Sequence, residues 1–526
     1  MGPWAGTSEL SNGTAIDSYA RSLADLLAGY SSSSSIAYGD PERVVLQHTG
    51  TIFAQDSWKI TNRLTFTYGL RYELDGTWHT GKSDLSAFIP SEGVVYTDEG
   101  ISTPYPVDYS GFGPRLGFTY QPKENLGLVV RGGAGIYSDT PALDNFARAR
   151  ASNGGATGFE NNPGGSSPVT SLSQQTADIV SGQSFFESAG SASKVGLYTV
   201  SQDFRNPHYY SYYLQVEKAL GERVVAQIGY VGSVGRNLEG LIDLNPAALN
   251  TSSGAVVQST RTYYAQYPTY AAINQLTSGF SSNYNSLQAS LHLKSWHRLQ
   301  ADANYTWAHN LDTLSNVSLP VINTDIERNY GNSSNDVRHA LSGVLSYAVP
   351  ELHGYNALAR GVANGWTLTS GFDFYTGQPF TISNGNNDTT GTEDKSQLVD
   401  VVGNPFSGVS HALGSSKKIT WINPTAFAAP ANGTYGNERR NQLRGPGYGD
   451  VDLSVARRIP FGERVNGELR AELNNLFDRT NLASPSTTYN SGGSYGLVTG
   501  TIGSGGAAGI AAGEPFNVQL QFKLSF

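Results

Sequence analysis

The closing stretch Phe516–Phe526 alternates without a break. Phe516, Val518, Leu520, Phe522, Leu524 and Phe526 are apolar, and Asn517, Gln519, Gln521, Lys523 and Ser525 between them are polar. A period of two predicts a strand with one apolar and one wet face. At about 3.3 Å per residue it spans roughly 36 Å, and tilted by about 45° it covers roughly 25 Å of depth, the height of an outer-membrane apolar band. The same pattern recurs along the chain. Leu64, Phe66, Tyr68, Leu70 and Tyr72 alternate with Thr65, Thr67, Gly69 and Arg71. Leu287, Ala289, Leu291 and Leu293 alternate with Gln288, Ser290 and His292, and Leu299, Ala301, Ala303, Tyr305 and Trp307 with Gln300, Asp302, Asn304 and Thr306. Val465, Gly467, Leu469, Ala471 and Leu473 alternate in turn with Asn466, Glu468, Arg470, Glu472 and Asn474.

Alternation alone fits a β-sandwich as well as a barrel. The connections separate them. Short links at Pro122–Asn125, Leu220–Glu222, Ser295–His297 and Pro460–Glu463 join strands into hairpins. Long polar stretches, roughly 80–110, 138–207, 234–282, 310–335, 378–448 and 478–514, lie between hairpins. Such loops are uncommon in compact soluble domains. Short turns on one rim and long loops on the other predict an all-β, antiparallel transmembrane β-barrel of about 12–14 strands, with periplasmic turns and extracellular loops. Val195–Val200 and Tyr495–Thr501 are the weakest strand segments.

The N-terminal part reads differently. Ile16–Tyr30 predicts a short helix with Ile16, Tyr19, Leu23, Leu26 and Leu27 on one face, and Ser31–Ser35 a flexible linker. Residues 1–42 are thus a loop with a helix and a Ser-rich linker, and residues 43–526 the barrel domain. The start of the chain has neither a basic nor an apolar leader region, so the reading favours the C-terminal piece of a longer exported protein.

Composition fits this picture. The apolar fraction is 38%, with 30 Tyr and 61 Gly against one Met. No run of about 18 apolar residues exists, which argues against helical spans. A barrel needs apolar residues only at alternate positions. Tyr and Trp gather at strand ends (Trp58, Tyr72, Trp78, Tyr209, Tyr210, Tyr305, Trp307, Tyr347, Trp366), as expected of rings in the headgroup layer. The absence of cysteine excludes disulfides and thiolate metal sites, and the net charge of -9 disfavours a nucleic-acid partner.

No pattern demands catalysis, and no cofactor or metal is expected. Val231 breaks the G-x-S-x-G spacing at Ser233, and Gly503-Ser504-Gly505 lacks the following Lys of a phosphate loop. Asn384–Lys395 gathers acids and amides without the ligand register of a calcium loop. The charges that matter sit on the polar phase of the strands: Arg71, Arg131, Glu217, Asp302, Arg338, Asp373, Asp452, Glu468, Arg470, Glu472 and Lys523. In lipid an Arg or Lys would cost about 2–4 kcal/mol at the midplane, so their phase predicts which face lines the lumen. Their mixed signs predict cross-strand ion pairs and contacts with a plug or solute, rather than a one-sign filter.

Several segments in order resemble the barrel of TonB-dependent outer-membrane receptors, in particular the Oar-like group. They include FAQDSWKITNRLTFTYGLRYE (53–73), GPRLGFTYQP (113–122), NPHYYSYYLQVEKAL (206–220), NDVRHALSGVLSY (335–347), RNQLRGPGYGDVDLSVARRI (440–459) and RAELNNLFDRTN (470–481). Family members also carry an N-terminal regulatory-like domain, a plug and a TonB box, none of which is found in these residues, and their barrel has 22 strands. The resemblance therefore covers the C-terminal half or somewhat more of such a barrel. It implies passage of a bulky solute or peptide across the outer membrane. It also implies contact with outer-membrane lipid, assembly by the barrel-assembly machinery reading a terminal aromatic (here Phe526), and coupling to a plug and TonB complex where an upstream portion exists. A self-standing passive pore and a loop-presenting surface-binding protein are the alternatives, and no enzymatic activity is expected.

Overall fold

The computed structural model describes residues 44–79, 85–97, 100–141, 195–385, 387–392, 397–412, 418–462, 465–489, 494–502 and 515–526, together with Tyr19, Ala20, Leu23, Gly414 and the strands 35–39 and 157–161. Its frame is an antiparallel meander of thirteen strands. They are β1 (Thr49–Thr61), β2 (Leu64–Asp75), β3 (Phe112–Tyr120), β4 (Leu128–Ser138), β5 (His208–Leu220), β6 (Val224–Asp243), β7 (Tyr270–Trp296), β8 (Leu299–Asp312), β9 (His339–Ala348), β10 (Trp366–Tyr375), β11 (Tyr448–Pro460), β12 (Asn466–Asn474) and β13 (Asn517–Ser525). Each strand hydrogen-bonds to its neighbours in chain order, as short hairpin turns require. Among the described residues β1 and β13 are paired on one side only. With an odd number of antiparallel strands, both run in the same direction, toward the short-turn rim.

The register carries one apolar face across the whole sheet. Tyr68 of β2 stands opposite Leu116, Leu116 opposite Ala134, and further along Ile228 opposite Ala289 and Leu291 opposite Ala303. The series ends with Leu469 opposite Phe522 and Ala471 opposite Leu520. Large apolar side chains on this face are exposed, among them Leu214, Ile228, Leu291, Leu345, Leu520 and Phe522. A soluble sheet would bury them, whereas lipid is their solvent in a membrane wall. No helix among the described residues is long and apolar enough to cross a membrane, which leaves crossing by strands open.

The short rim is mostly tight. His297 and Arg298 join β7 to β8 with φ of 49° and 71°, the left-handed pair of a two-residue hairpin turn. The connection 349–365 is longer than the other turns and holds a helix, α1 (Ala357–Ala363), whose Asn356 side chain caps it by accepting from Ala359 N at 2.8 Å. Sequence alternation did not reveal this helix. On the opposite rim the expected loop 234–282 is shorter than predicted, because β6 runs on to Asp243 and β7 begins at Tyr270. Val195–Val200 is a strand, but it lies parallel against the upper part of β7 and is not part of the wall. Of Tyr495–Thr501, Leu497–Val498 forms a short strand paired with Ile419–Thr420, and Tyr495 and Thr501 make single bridges to Ser486 and Leu482. Ser35, read as linker, begins the strand Ser35–Gly39, which pairs with Thr157–Asn161. Most of the predicted helix 16–30 lies outside the described residues, with Tyr19, Ala20 and Leu23 helical.

The described parts of the long loops are packed. Trp78, Leu85, Tyr105, Val200, Phe204, Leu241 and Leu276 form one buried cluster. Ile382, Val399, Ile422, Ala426, Phe427, Leu443 and Tyr495 form a second, drawn from the loops before β11 and β13. The hydrophobic cores of the molecule are therefore in its loop layer, while its wall turns its apolar side chains outward.

Candidate functional site

The polar face of the wall brings together most of the charges singled out in the sequence. Arg71 pairs with Glu73 at 3.0 Å on β2, and Arg131 of β4 reaches Glu217 of β5 at 2.6 Å. Asp302 stands opposite His292 and is hydrogen-bonded to its Nδ1. Along β12, Arg470 bridges Glu468 at 2.6 Å and Glu472 at 3.5 Å. Asp373 of β10 faces Asp450 of β11, with Asp452 the next polar-face residue of that strand, its Oδ1 accepting from Asn475 N. Lys523 of β13 stands opposite Glu468. These charges share one phase across the sheet, because a period of two leaves each strand only one polar face. The ion pairs on this face are a quarter to two-fifths exposed, so water screens them and each adds little to stability. They line a surface rather than hold the fold.

Arg115 is a different case. Its guanidinium lies 4.6 Å over the Tyr137 ring, a cation–π contact, and no carboxylate partner is seen among the described residues. Tyr213 stands on the same face, opposite Gly133. A Cβ at Gly133 would stand 2.8 Å from its ring, so glycine at that position makes the room.

Arg338 departs from the expectation. It precedes β9 in the loop, where it pairs with Asp336 at 3.3 Å, and so it belongs to the rim and not to the polar face of a strand. The Val-Arg-His run carries the strand alternation one residue too far. Asp336 is fully buried and is claimed by Arg444 as well, whose Nη1 donates to Asp336 O at 3.1 Å and to Gly377 O at 3.2 Å while Nη2 pairs with the carboxylate.

Arg444 belongs with Arg440 to a clasp that sequence reading missed. Arg440 donates from Nε to Asn329 O at 2.8 Å, from Nη1 to Ser315 Oγ at 3.0 Å, and from Nη2 to the backbone and carboxylate oxygens of Asp312. Both side chains of this pair are at most 9% exposed. The loop before β11 is thus locked onto the loop after β8 by two buried or half-buried guanidinium–carboxylate pairs. Breaking such a pair leaves an uncompensated charge, which costs about 3–5 kcal/mol. The segment RNQLR contained the signal, two Arg four apart in a polar loop, but their acids lie more than a hundred residues away.

The segment LNNLFDRTN also proves to be architectural. Asn481 is fully buried and brackets Gly449, accepting from its N and donating to its O, both at 3.0 Å. Asn475, at φ 47°, exchanges two 2.9 Å bonds with the Arg479 backbone. These amides pin the loop after β12 to the top of β11. In the segment 384–395, Asp388 Oδ1 accepts from Thr390 N, Gly391 N and Gln397 Nε2, so the acid closes a turn. Among the described residues no group of three or more His, Asp or Glu is placed to hold a metal ion.

Glu438 is a strongly perturbed acid of the loop layer. It is 3% exposed, and burial pushes its carboxyl up to about 8, against the opposing effect of the Ile382 N–H that donates to its Oε1 at 3.1 Å. Among the described residues its other oxygen, Oε2, has no hydrogen-bond partner, nor has the buried hydroxyl of Tyr495. Burial and the Glu438 charge both raise the Tyr495 hydroxyl above its usual range.

Among solved structures, the chain is similar to the outer membrane transporter YddB from Escherichia coli at 10% identity and TM-score 0.48, covering 91% of this chain and 45% of that one. It is similar to the copper transporter OprC at 12% identity and TM-score 0.42, covering 92% and 48%. To a mutant of the ferric enterobactin receptor PfeA from Pseudomonas aeruginosa it is similar at 12% identity and TM-score 0.44, covering 91% and 45%. The chain spans less than half the length of each of these structures. No curated protein sequence matches it. A family model described as an outer membrane beta barrel domain matches residues 4–519, nearly the whole chain, and with its lipid-facing meander the chain belongs to that family of outer-membrane proteins.

Proposed function

We propose that the chain is part of the wall of a TonB-dependent receptor, and that it takes part in carrying a bulky solute or peptide across the outer membrane. The observation that supports this most is the division of labour in the sheet. The apolar face meets lipid, the opposite face carries mixed-sign charge from Arg71 to Lys523, and the described loop segments on one rim pack into an outer layer. Mixed charges at half-exposed positions suit transient contacts with a plug or a passing solute better than a fixed selectivity ring. Structured loops suit recognition from outside. The ordered segments from FAQDSWKITNRLTFTYGLRYE to RAELNNLFDRTN point the same way. In this reading Arg71, Arg131, Glu217, Asp302, Asp373, Glu468, Arg470 and Glu472 are the contact surface, and Phe526 is the residue read by the assembly machinery. Planar-bilayer conductance tests it. The chain by itself is expected to give no steady open channel, and a stable, large conductance would establish a passive pore in its place.

A further inference from the structure

A polar cavity opens just above the lipid-facing band, away from the charged face. We infer that it is a saccharide-binding site for the sugar headgroup of an outer-leaflet glycolipid. The cavity, about 440 Å³, lies where β6 and β7 rise beyond the wall and meet the loop after β8, and Arg236, Asn237, Ser281, Asn283, Glu327 and Tyr330 line it. Its size is within the range of small-ligand sites.

The register fixes its direction. Tyr230, Leu287 and Trp307 stand in one row on the lipid-facing phase. His339 extends the row, paired with Trp307 and stacked parallel to it, with Nδ1 2.8 Å from the Tyr305 hydroxyl. Such a row marks the boundary of the apolar band. On the same phase, Asn285 and then Asn283 follow Leu287 upward, and Gly232, Val234 and Arg236 follow Tyr230. Asn283 is four residues above the row, roughly 10 Å higher on a tilted strand. The Tyr230 hydroxyl donates to Asn285 Oδ1, and Asn285 Nδ2 donates to Asn283 Oδ1 at 2.9 Å, so a polar ladder climbs from the aromatic row to the cavity. At this height the outward neighbour of the wall is the headgroup layer.

The chemistry selects the ligand. At Asn237 the chain adopts φ 55° and the register with β7 slips between Gly235 and Leu238, a bulge beside Arg236. Arg236 spends Nη1 on Gly235 O at 2.8 Å and Ser282 O at 3.5 Å, while Nε and Nη2 have no hydrogen bond to the described residues. Hydroxyl and amide groups with one guanidinium, one carboxylate and a half-exposed Tyr330 ring are donors, acceptors and a stacking face for a pyranose. An acyl chain finds little apolar lining there beyond Phe280, while the band below offers lipid contact continuously.

The test uses the purified protein in detergent micelles and two probes: a phosphorylated glucosamine disaccharide free of acyl chains, and the same headgroup acylated in mixed micelles. Calorimetric titration is expected to show binding of both, the acylated form at least tenfold tighter, and an at least tenfold loss for each in Arg236→Gln and in Tyr330→Ala. Tyr330→Phe, which keeps the ring, is expected to retain binding, and heat-modifiable migration checks that each variant is folded. Equal affinity for the two probes with the same losses in the variants would keep the saccharide site and assign its ligand to free sugar. No binding of either probe, or binding unaffected by both substitutions in folded protein, would overturn the inference.

Discussion

Replacing Glu438 by Gln is expected to abolish a pH dependence in the outer loop layer. In the folded protein this carboxyl sits at about 8, raised by burial from an ordinary 4.5. The neutral acid is therefore the form the fold accommodates. Its contribution is fully present below the unfolded value of 4.5, declines as pH rises from there to 8, and is constant above that. Each pH step of one within the window weakens the loop core by about 1.4 kcal/mol, so roughly 3 kcal/mol is lost between pH 4.5 and pH 7. Burial of a negative charge with one oxygen unpartnered among the described residues is the physical cause. Gln has nearly the same shape, keeps an oxygen for Ile382 N, and does not ionise near neutrality. The assay is hydrogen exchange read by mass spectrometry on peptides containing Ile382 and Val399, both fully buried in the same cluster. Because intrinsic exchange accelerates with pH, the quantity compared is the protection factor. Wild-type protection is expected to fall by about a hundredfold between pH 5 and pH 7, and that of Glu438→Gln to stay level. Equal slopes in the two proteins would refute the argument, since another group would then control the loop.

Arg440→Ala strands the nearly buried Asp312 carboxylate and is expected to cost the docking of the loop before β11 about 3–5 kcal/mol, read as faster proteolysis within residues 376–447 while the wall resists. Leu291→Arg on the lipid-facing phase of β7 is expected to destabilise folding into lipid vesicles by about 2–4 kcal/mol, and Ser290→Arg on the opposite phase to change it little; the reverse order would invert the assignment of faces. Removal of Phe526, fully exposed beyond β13, is expected to lower the amount of protein assembled in the outer membrane, measured by heat-modifiable migration, and unchanged assembly would count against its role as a recognised end.

The wall was legible in sequence because lipid imposes a rule on every second residue. β13, β12, β8 as far as Trp307 and the middle of β7 follow it position by position, and, Arg338 apart, the charges singled out from Arg71 to Lys523 fall on the other phase. The rule lapses where the solvent changes. Above the band, β6 and β7 continue with Arg236, Asn283 and Asn285 on the outer phase, and the mixed polarity there reads as loop. Arg338 shows the opposite error, an alternation that persists one residue after the strand has ended. The helix α1 is short, and its two large apolar residues Leu358 and Val362, four apart, are too few to establish a period. The clasp of Arg440 and Arg444 and the buried Glu438 depend on which loops meet. That is set by the order of hairpins around the wall and by no local pattern.

That order also governs how the wall closes. Among the described residues β1 and β13 each have one edge of backbone donors and acceptors without a partner, and in a bilayer each unpaired group costs several kcal/mol. Direct pairing of the two edges would be parallel, since both strands run toward the short-turn rim. A second copy inserted in the same orientation offers edges of that same direction, so every seam it forms is parallel too. An antiparallel seam on both sides requires an odd number of further strands, the outermost two running toward the long-loop rim. The passive-pore reading and the receptor reading therefore differ in a geometric quantity, the direction of the strand beside β13. In the first its neighbour is β1 and the seam is parallel. In the second the neighbour runs the other way, and the antiparallel ladder that begins at β12 continues past Phe522 and Leu524.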